Sequence, residues 1–146
     1  MNSRSLNEGQ TRSVVVEREM PFPLEKVWRA LTQPHLIEEW LMKSDFKPVV
    51  GHRFNLRGDW GGVLDCEVLA IEQHKTLSYT WDFAHDDPAF ALKSVVVFTL
   101  TQTSTGTHLR MEQSGFRPEQ KQAFGGAKHG WQQFLGNLEQ LLGRTD

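Results

Sequence analysis

The stretch from Lys128 to Leu142 constrains this chain most, because one side of it is too apolar to be left in water. Trp131, Phe134, Leu135, Leu138, Leu141 and Leu142 recur at three- and four-residue steps, the spacing that collects side chains on one face of a helix. Gln132, Gln133, Asn137, Glu139 and Gln140 fill the opposite face. Gly143 follows where a helix favours a left-handed closing residue. Such a helix needs a wide apolar surface to cover it, and the earlier chain must supply that surface.

The earlier chain supplies alternating segments. Residues 1–12 are polar and read as a flexible tail, and residues 13–146 read as one domain. Ser13 to Met20 is β-branched and reads as a first strand. Pro23 then opens a short helix, Leu24 to Leu31, with Leu24, Val27, Trp28 and Leu31 on one face. Pro34 opens another, His35 to Leu41, carrying Leu36, Ile37, Trp40 and Leu41.

From Phe46 the period becomes two. Phe54, Leu56 and Trp60 alternate with Arg53, Asn55, Arg57 and Asp59. Val63 to Glu72, Thr76 to Asp82, Ser94 to Thr103 and Thr107 to Gly115 follow as strands, with Gly61-Gly62, Gln73-His-Lys75 and Thr105-Gly106 as turns and Ala84 to Ala91 as a loop. Pro118 opens the terminal helical region, and Gly125-Gly126 predicts a kink or break in it. The whole is an α+β layout: a curved antiparallel sheet of about six to seven strands, with helices on one side.

Composition removes several classes of function. Hydrophobic residues are 38%, charged residues 23% and the net charge is −2, which gives no electrostatic case for nucleic acid or an anionic membrane. No apolar run is long enough to span a bilayer and no signal peptide is recognisable, so the expected address is the cytoplasm. Cys66 is the single cysteine, which excludes an internal disulfide and a cysteine-based zinc site. The marked bias is aromatic: five Trp and nine Phe against one Tyr, the material of a packed core or of an apolar cavity.

By strand parity Phe54, Leu56, Leu64, Val68, Leu77, Tyr79, Trp81, Val96, Phe98, Leu100, Leu109 and Met111 face the helix. Trp131, Phe134, Leu135 and Leu138 face the sheet, and Trp28 and Trp40 close one end. Most of these read as core and a minority as the lining of a void that holds a ligand. Tyr79 is the best polar candidate, a lone phenol among inward rings. The six histidines show no helical i, i+4 pair, so neither a metal nor a cofactor is expected. His85-Asp86-Asp87 reads as turn chemistry, Cys66 as a small core residue, and His129 as a polar group at a cavity mouth. With no placed acid–base pair, the expectation is binding rather than catalysis.

Several strings carry a family resemblance. Pro23-Leu-Glu-Lys-Val-Trp-Arg-Ala-Leu-Thr-Gln-Pro34, Trp40-Leu41, Val50-Gly-His-Arg-Phe54, Val68-Leu-Ala-Ile-Glu72, Leu77-Ser-Tyr-Thr-Trp81 and Gly130-Trp-Gln-Gln-Phe-Leu-Gly-Asn-Leu138 resemble the activator of heat-shock ATPase homologue family, in order and over almost the whole chain. That family belongs to the START-like (SRPBCC, helix-grip) superfamily. The resemblance implies a curved sheet gripping the C-terminal helix around an apolar cavity, and a hydrophobic small molecule as partner. It also implies two other roles met in the superfamily. One is a co-chaperone that activates a heat-shock chaperone ATPase in the stress response; the other is cyclase or hydrolase chemistry. Related small domains often pair, so a homodimer is a further expectation.

Overall fold

The computed structural model describes residues 11–145. The tail expected over residues 1–12 lies outside them up to residue 10, and Arg12 already belongs to a strand. Strand β1, Arg12–Met20, buries Val14, Val16 and Met20 while Ser13 and Glu17 face out, the period-two pattern of a sheet with one covered face. Helices α1, Leu24–Thr32, and α2, Pro34–Trp40, follow. Pro23 caps α1 from outside rather than sitting in its first turn, whereas Pro34 occupies the opening turn of α2. The two helices are locked together where Trp40 Nε1 donates to the Ala30 carbonyl at 2.8 Å.

The remaining strands are β2, Lys43–Ser44; β3, Arg53–Arg57; β4, Val63–Glu72; β5, Thr76–Phe83; β6, Leu92–Gln102; and β7, Thr107–Phe116. They form one antiparallel sheet in the order β1-β7-β6-β5-β4-β3-β2. The first strand therefore pairs with the last, Val16 lying opposite Met111 and Met20 opposite Thr107. The β4–β5 turn needs a left-handed residue, and His74 takes that conformation with φ of 67°. Trp60 does not continue the Phe54–Leu56 row: Gly58 and Gly62 close a turn around it, and the residue is 63% exposed.

Helix α3, Lys121–Arg144, lies across the inner face of the sheet. It runs unbroken through Gly125-Gly126, against the sequence expectation. Glycine costs a helix roughly 1 kcal/mol relative to alanine, but Phe124 on one side of the pair packs edge-on against Phe116 at 5.6 Å, and Trp131 anchors the other side. Gly143 is likewise helical and not a left-handed terminator. The end of α3 is held from outside, by Lys26 Nζ donating to the Thr145 carbonyl at 2.6 Å and by Arg144 against Glu39 at 3.6 Å. Arg18 on β1 binds Glu139 at 3.0 Å and fixes the same half of the helix to the sheet edge. The result is a curved antiparallel sheet wrapped on a long C-terminal helix, with α1 and α2 supporting it.

Candidate ligand-binding site

The space between sheet and α3 is filled by side chains. Trp28, Trp40, Phe54, Leu56, Leu64, Val68, Tyr79, Trp81, Phe98, Leu100, Leu109, Met111, Trp131, Leu135 and Leu138 are all buried, and Phe134 is half-buried against them. Strand parity thus brings these inward residues together as one continuous core. Rings form a connected series through it: Trp81 and Phe98 meet Trp131 at 5.2 and 5.8 Å, Tyr79 meets Phe98 at 6.0 Å, and Phe54 meets Tyr79 at 5.2 Å. These are the offset and edge-on contacts that aromatic quadrupoles favour.

Polar groups inside this core divide into satisfied and unsatisfied. Trp131 Nε1 donates to Gln113 Oε1 at 2.7 Å, Gln113 Nε2 donates to Ser94 Oγ at 3.0 Å, and Ser94 Oγ donates to the Trp81 carbonyl at 2.6 Å. This chain ties the helix to β5, β6 and β7. Among the described residues, the Tyr79 hydroxyl has no such partner although the residue is 3% exposed. Leaving a buried hydroxyl unpaired costs roughly 1–3 kcal/mol. Burial, and then the neighbouring Cys66, push its pKa well above the ordinary 10.0, so it stays a neutral donor. Burial first, then Asp82, Asp65 and Asp45, push the Cys66 thiol up as well, which keeps it a thiol rather than a nucleophile.

An open pocket of about 690 Å³ lies at the end of this core. Phe83 and Leu92 belong to the same inward rows as Tyr79–Trp81 and Ser94–Val96, so the apolar surface of the interior continues to the pocket wall. Ala84, Ala91 and Gly115 complete the apolar lining, with Thr11, Asp65, Asp82, His85, Lys93, Arg117 and Gln120 as its polar members. Gly115 has φ of 118°, and a Cβ there would stand 2.5 Å from the Lys93 carbonyl oxygen, so only glycine fits. Gln120, 3% exposed, donates to the Ala91 carbonyl and accepts from the Arg117 N–H at 3.0 Å, fastening the β5–β6 loop to the start of α3.

The rim is aromatic. Trp60 meets Phe83 at 5.8 Å, Phe83 meets His85 at 5.9 Å, and His85 meets Phe90 at 5.2 Å. A Cβ on Gly58 or Gly62 would overlap the Trp60 indole, so the ring is seated flat on glycine backbone. Within the loop, the Asp87 N–H donates to His85 Nδ1 and the Ala89 N–H to Asp87 Oδ1, both at 2.9 Å, which is turn chemistry. His129 is exposed on α3 and does not line this pocket, contrary to the placement expected from sequence. Among the described residues, no three His, Cys, Asp or Glu side chains are grouped to hold a metal.

Sequence reasoning missed the rim and the Gln113–Ser94 pair. For the pair a signal existed: one more step of period two from Met111 reaches Gln113, and one step back from Val96 reaches Ser94. The rim had no such signal, since it gathers loop residues by tertiary contact.

A seven-stranded curved sheet closed on a long C-terminal helix defines the START-like (SRPBCC) helix-grip class. Within that class the chain belongs to the family described as activator of Hsp90 ATPase homolog 1-like protein, whose model matches residues 21–143. It is similar to protein MLL2253 from Mesorhizobium loti, at 76% identity and a TM-score of 0.91 over 92% of this chain and 99% of that one. DynU16, described as a putative protein in the dynemicin biosynthetic locus, is 25% identical with a TM-score of 0.79, covering 90% of this chain and 47% of that one. Bacillus halodurans protein BH1534 is also 25% identical, with a TM-score of 0.76, covering 90% of this chain and 96% of that one. Among proteins with curated functions, none matches the chain. No helix of the described residues is long and apolar enough to cross a membrane.

Proposed function

We propose that this protein binds a hydrophobic small molecule on its helix-grip scaffold. The ligand is admitted through the end pocket and rests against the inward residues of sheet and helix, Trp81, Phe98, Trp131 and Phe134 among them. The observation that carries this reading is the pocket itself: about 690 Å³, a size typical of small-molecule sites, with Phe83 and Leu92 extending the core's own apolar rows into its wall. Because the interior is filled, a ligand that reaches Tyr79 moves rings aside from the pocket end.

The test uses the full chain and the neutral fluorescent probe N-phenyl-1-naphthylamine. Saturable enhancement of its fluorescence, lost in Phe83→Arg, is the expected result. No enhancement at saturating protein removes the reading.

A second reading rests on the family's description alone: a co-chaperone-type module that stimulates a heat-shock chaperone ATPase. It predicts a faster Hsp90 ATPase rate when this chain is added, and an unchanged rate at saturation excludes it.

A further inference from the structure

Several buried polar side chains of this interior are matched within the protein. Gln113, Ser94 and Trp131 satisfy one another, Thr32 donates to the Trp28 carbonyl at 2.8 Å, and Thr107 donates to the Phe22 carbonyl at 2.8 Å. Tyr79 is different. Its ring is packed by Phe54 at 5.2 Å, Phe98 at 6.0 Å and Phe46 at 6.2 Å, none of which can accept a hydrogen bond. A phenylalanine would fill the same place without taking a hydroxyl out of water. The chain therefore keeps a donor where folding alone favours none, and such a group calls for an explanation.

Three features define what the hydroxyl suits. A phenol donates more strongly than it accepts, so its partner is an acceptor atom. Of the aromatic donors of this region, Trp131 Nε1 is taken by Gln113 and Trp40 Nε1 by the Ala30 carbonyl. Among the described residues, the Tyr79 hydroxyl and the Trp81 N–H one step along the same row have no partner, and Tyr79 is the more deeply buried of the two. The rings around it carry no charge, so an ionised ligand group beside it would be desolvated without a counter-ion. The acceptor is thus a neutral one.

We infer that Tyr79 is the specificity-determining residue of the interior site, donating its hydroxyl proton in a hydrogen bond to a neutral carbonyl oxygen on an otherwise apolar ligand. This inference rests on the reading that the interior takes a ligand. The row Tyr79–Trp81–Phe83 supplies the route, since it leads along one face of β5 from the hydroxyl's residue to the pocket wall. A site built to meet a carbonyl discriminates against its hydrocarbon analogue, because the donor is left unpaired when that analogue binds.

The experiment compares two probes of nearly the same shape, benzophenone and diphenylmethane, by titration calorimetry on the full chain and on Tyr79→Phe. Wild-type protein is expected to prefer benzophenone by roughly tenfold, and the variant to bind both about equally. Ligand-free Tyr79→Phe is expected to melt at the same temperature as wild type or higher, because it loses an unpaired group and no contact. Equal binding of both probes by wild type overturns the role of Tyr79 while leaving an interior ligand site intact. Binding of neither probe overturns the site and the inference together. A lower melting temperature for Tyr79→Phe shows a hydroxyl already satisfied within the fold, and that also overturns it.

Discussion

The two ends of strand β5 sit in opposite surroundings. At Leu77 and Tyr79 the inward row is sealed under helix and flanking strands, whereas at Phe83 the same row opens into a pocket bounded by a loop. The sealed end is held by interlocking rings and by the Trp131–Gln113–Ser94 chain. The open end is held by a few hydrogen bonds from Gln120 and Arg117 to loop carbonyls. Stability and recognition thus occupy different lengths of one strand, and substitutions should separate them.

The strongest way to break this contrast is a pair of tryptophan truncations. Trp131→Ala empties a fully packed position and should cost about 3–5 kcal/mol in urea unfolding. Trp60→Ala removes an equally large ring from the exposed rim and should change stability by less than about 0.5 kcal/mol while weakening ligand binding at the pocket. Comparable losses at both positions would show that the rim is part of the core.

Gln113→Leu comes next. It strips Trp131 Nε1 of its acceptor and Ser94 Oγ of its donor, and should destabilise by roughly 1–3 kcal/mol. No change would mean that the polar chain contributes only position and not stability. Gly62→Ala should act at the open end alone: its Cβ displaces the Trp60 indole, shifting the tryptophan emission spectrum with a stability change below about 1 kcal/mol. An unshifted spectrum would contradict the seating of that ring.

The smallest effect belongs to the outer face, which neither end uses. His108 Nε2 meets Glu17 at 2.8 Å and Nδ1 meets Glu19 at 2.6 Å, so both ring nitrogens face carboxylates. Those hydrogen bonds, Glu17's first, raise the imidazole pKa above its ordinary 6.5. A raised folded-state pKa gives stabilisation that is complete below pH 6.5 and disappears as pH climbs through the raised value. Thermal melts should therefore drop slightly over that window. Glu17→Gln should flatten the drop, and an unaltered pH profile in that variant would remove the cluster as its cause.

The sequence disclosed the sealed end far better than the open one, for a physical reason. Inward placement follows from a period of two, which is local, so Leu64, Val68, Tyr79, Phe98 and Met111 could be put on the right face without coordinates. Trp60 was misplaced because the alternation of Phe54, Leu56 and Trp60 persists in the letters while the Gly58–Gly62 turn interrupts it in space. The helix through Gly125-Gly126 failed differently: local propensity argued for a break, and contacts made by Phe124 and Trp131 outweighed it. The pocket rim depends on a loop folding back to Gln120, a long-range contact with no periodic trace. As for Tyr79, its direction was readable, but a missing partner becomes visible only once every neighbour is in place.

The pairing of β1 with β7 has a consequence for how the molecule is made. During synthesis the chain emerges from its N-terminal side, so β1 leaves the ribosome long before the strand it must join. Val14 and Val16 then wait uncovered through the production of β2 to β6, and their docking waits until Met111 and helix α3 have been made. A ladder of such sequence separation forms slowly and leaves its strands prone to self-association meanwhile. Slower translation and lower temperature should therefore change the yield of this protein even where the equilibrium strength of its core is unchanged.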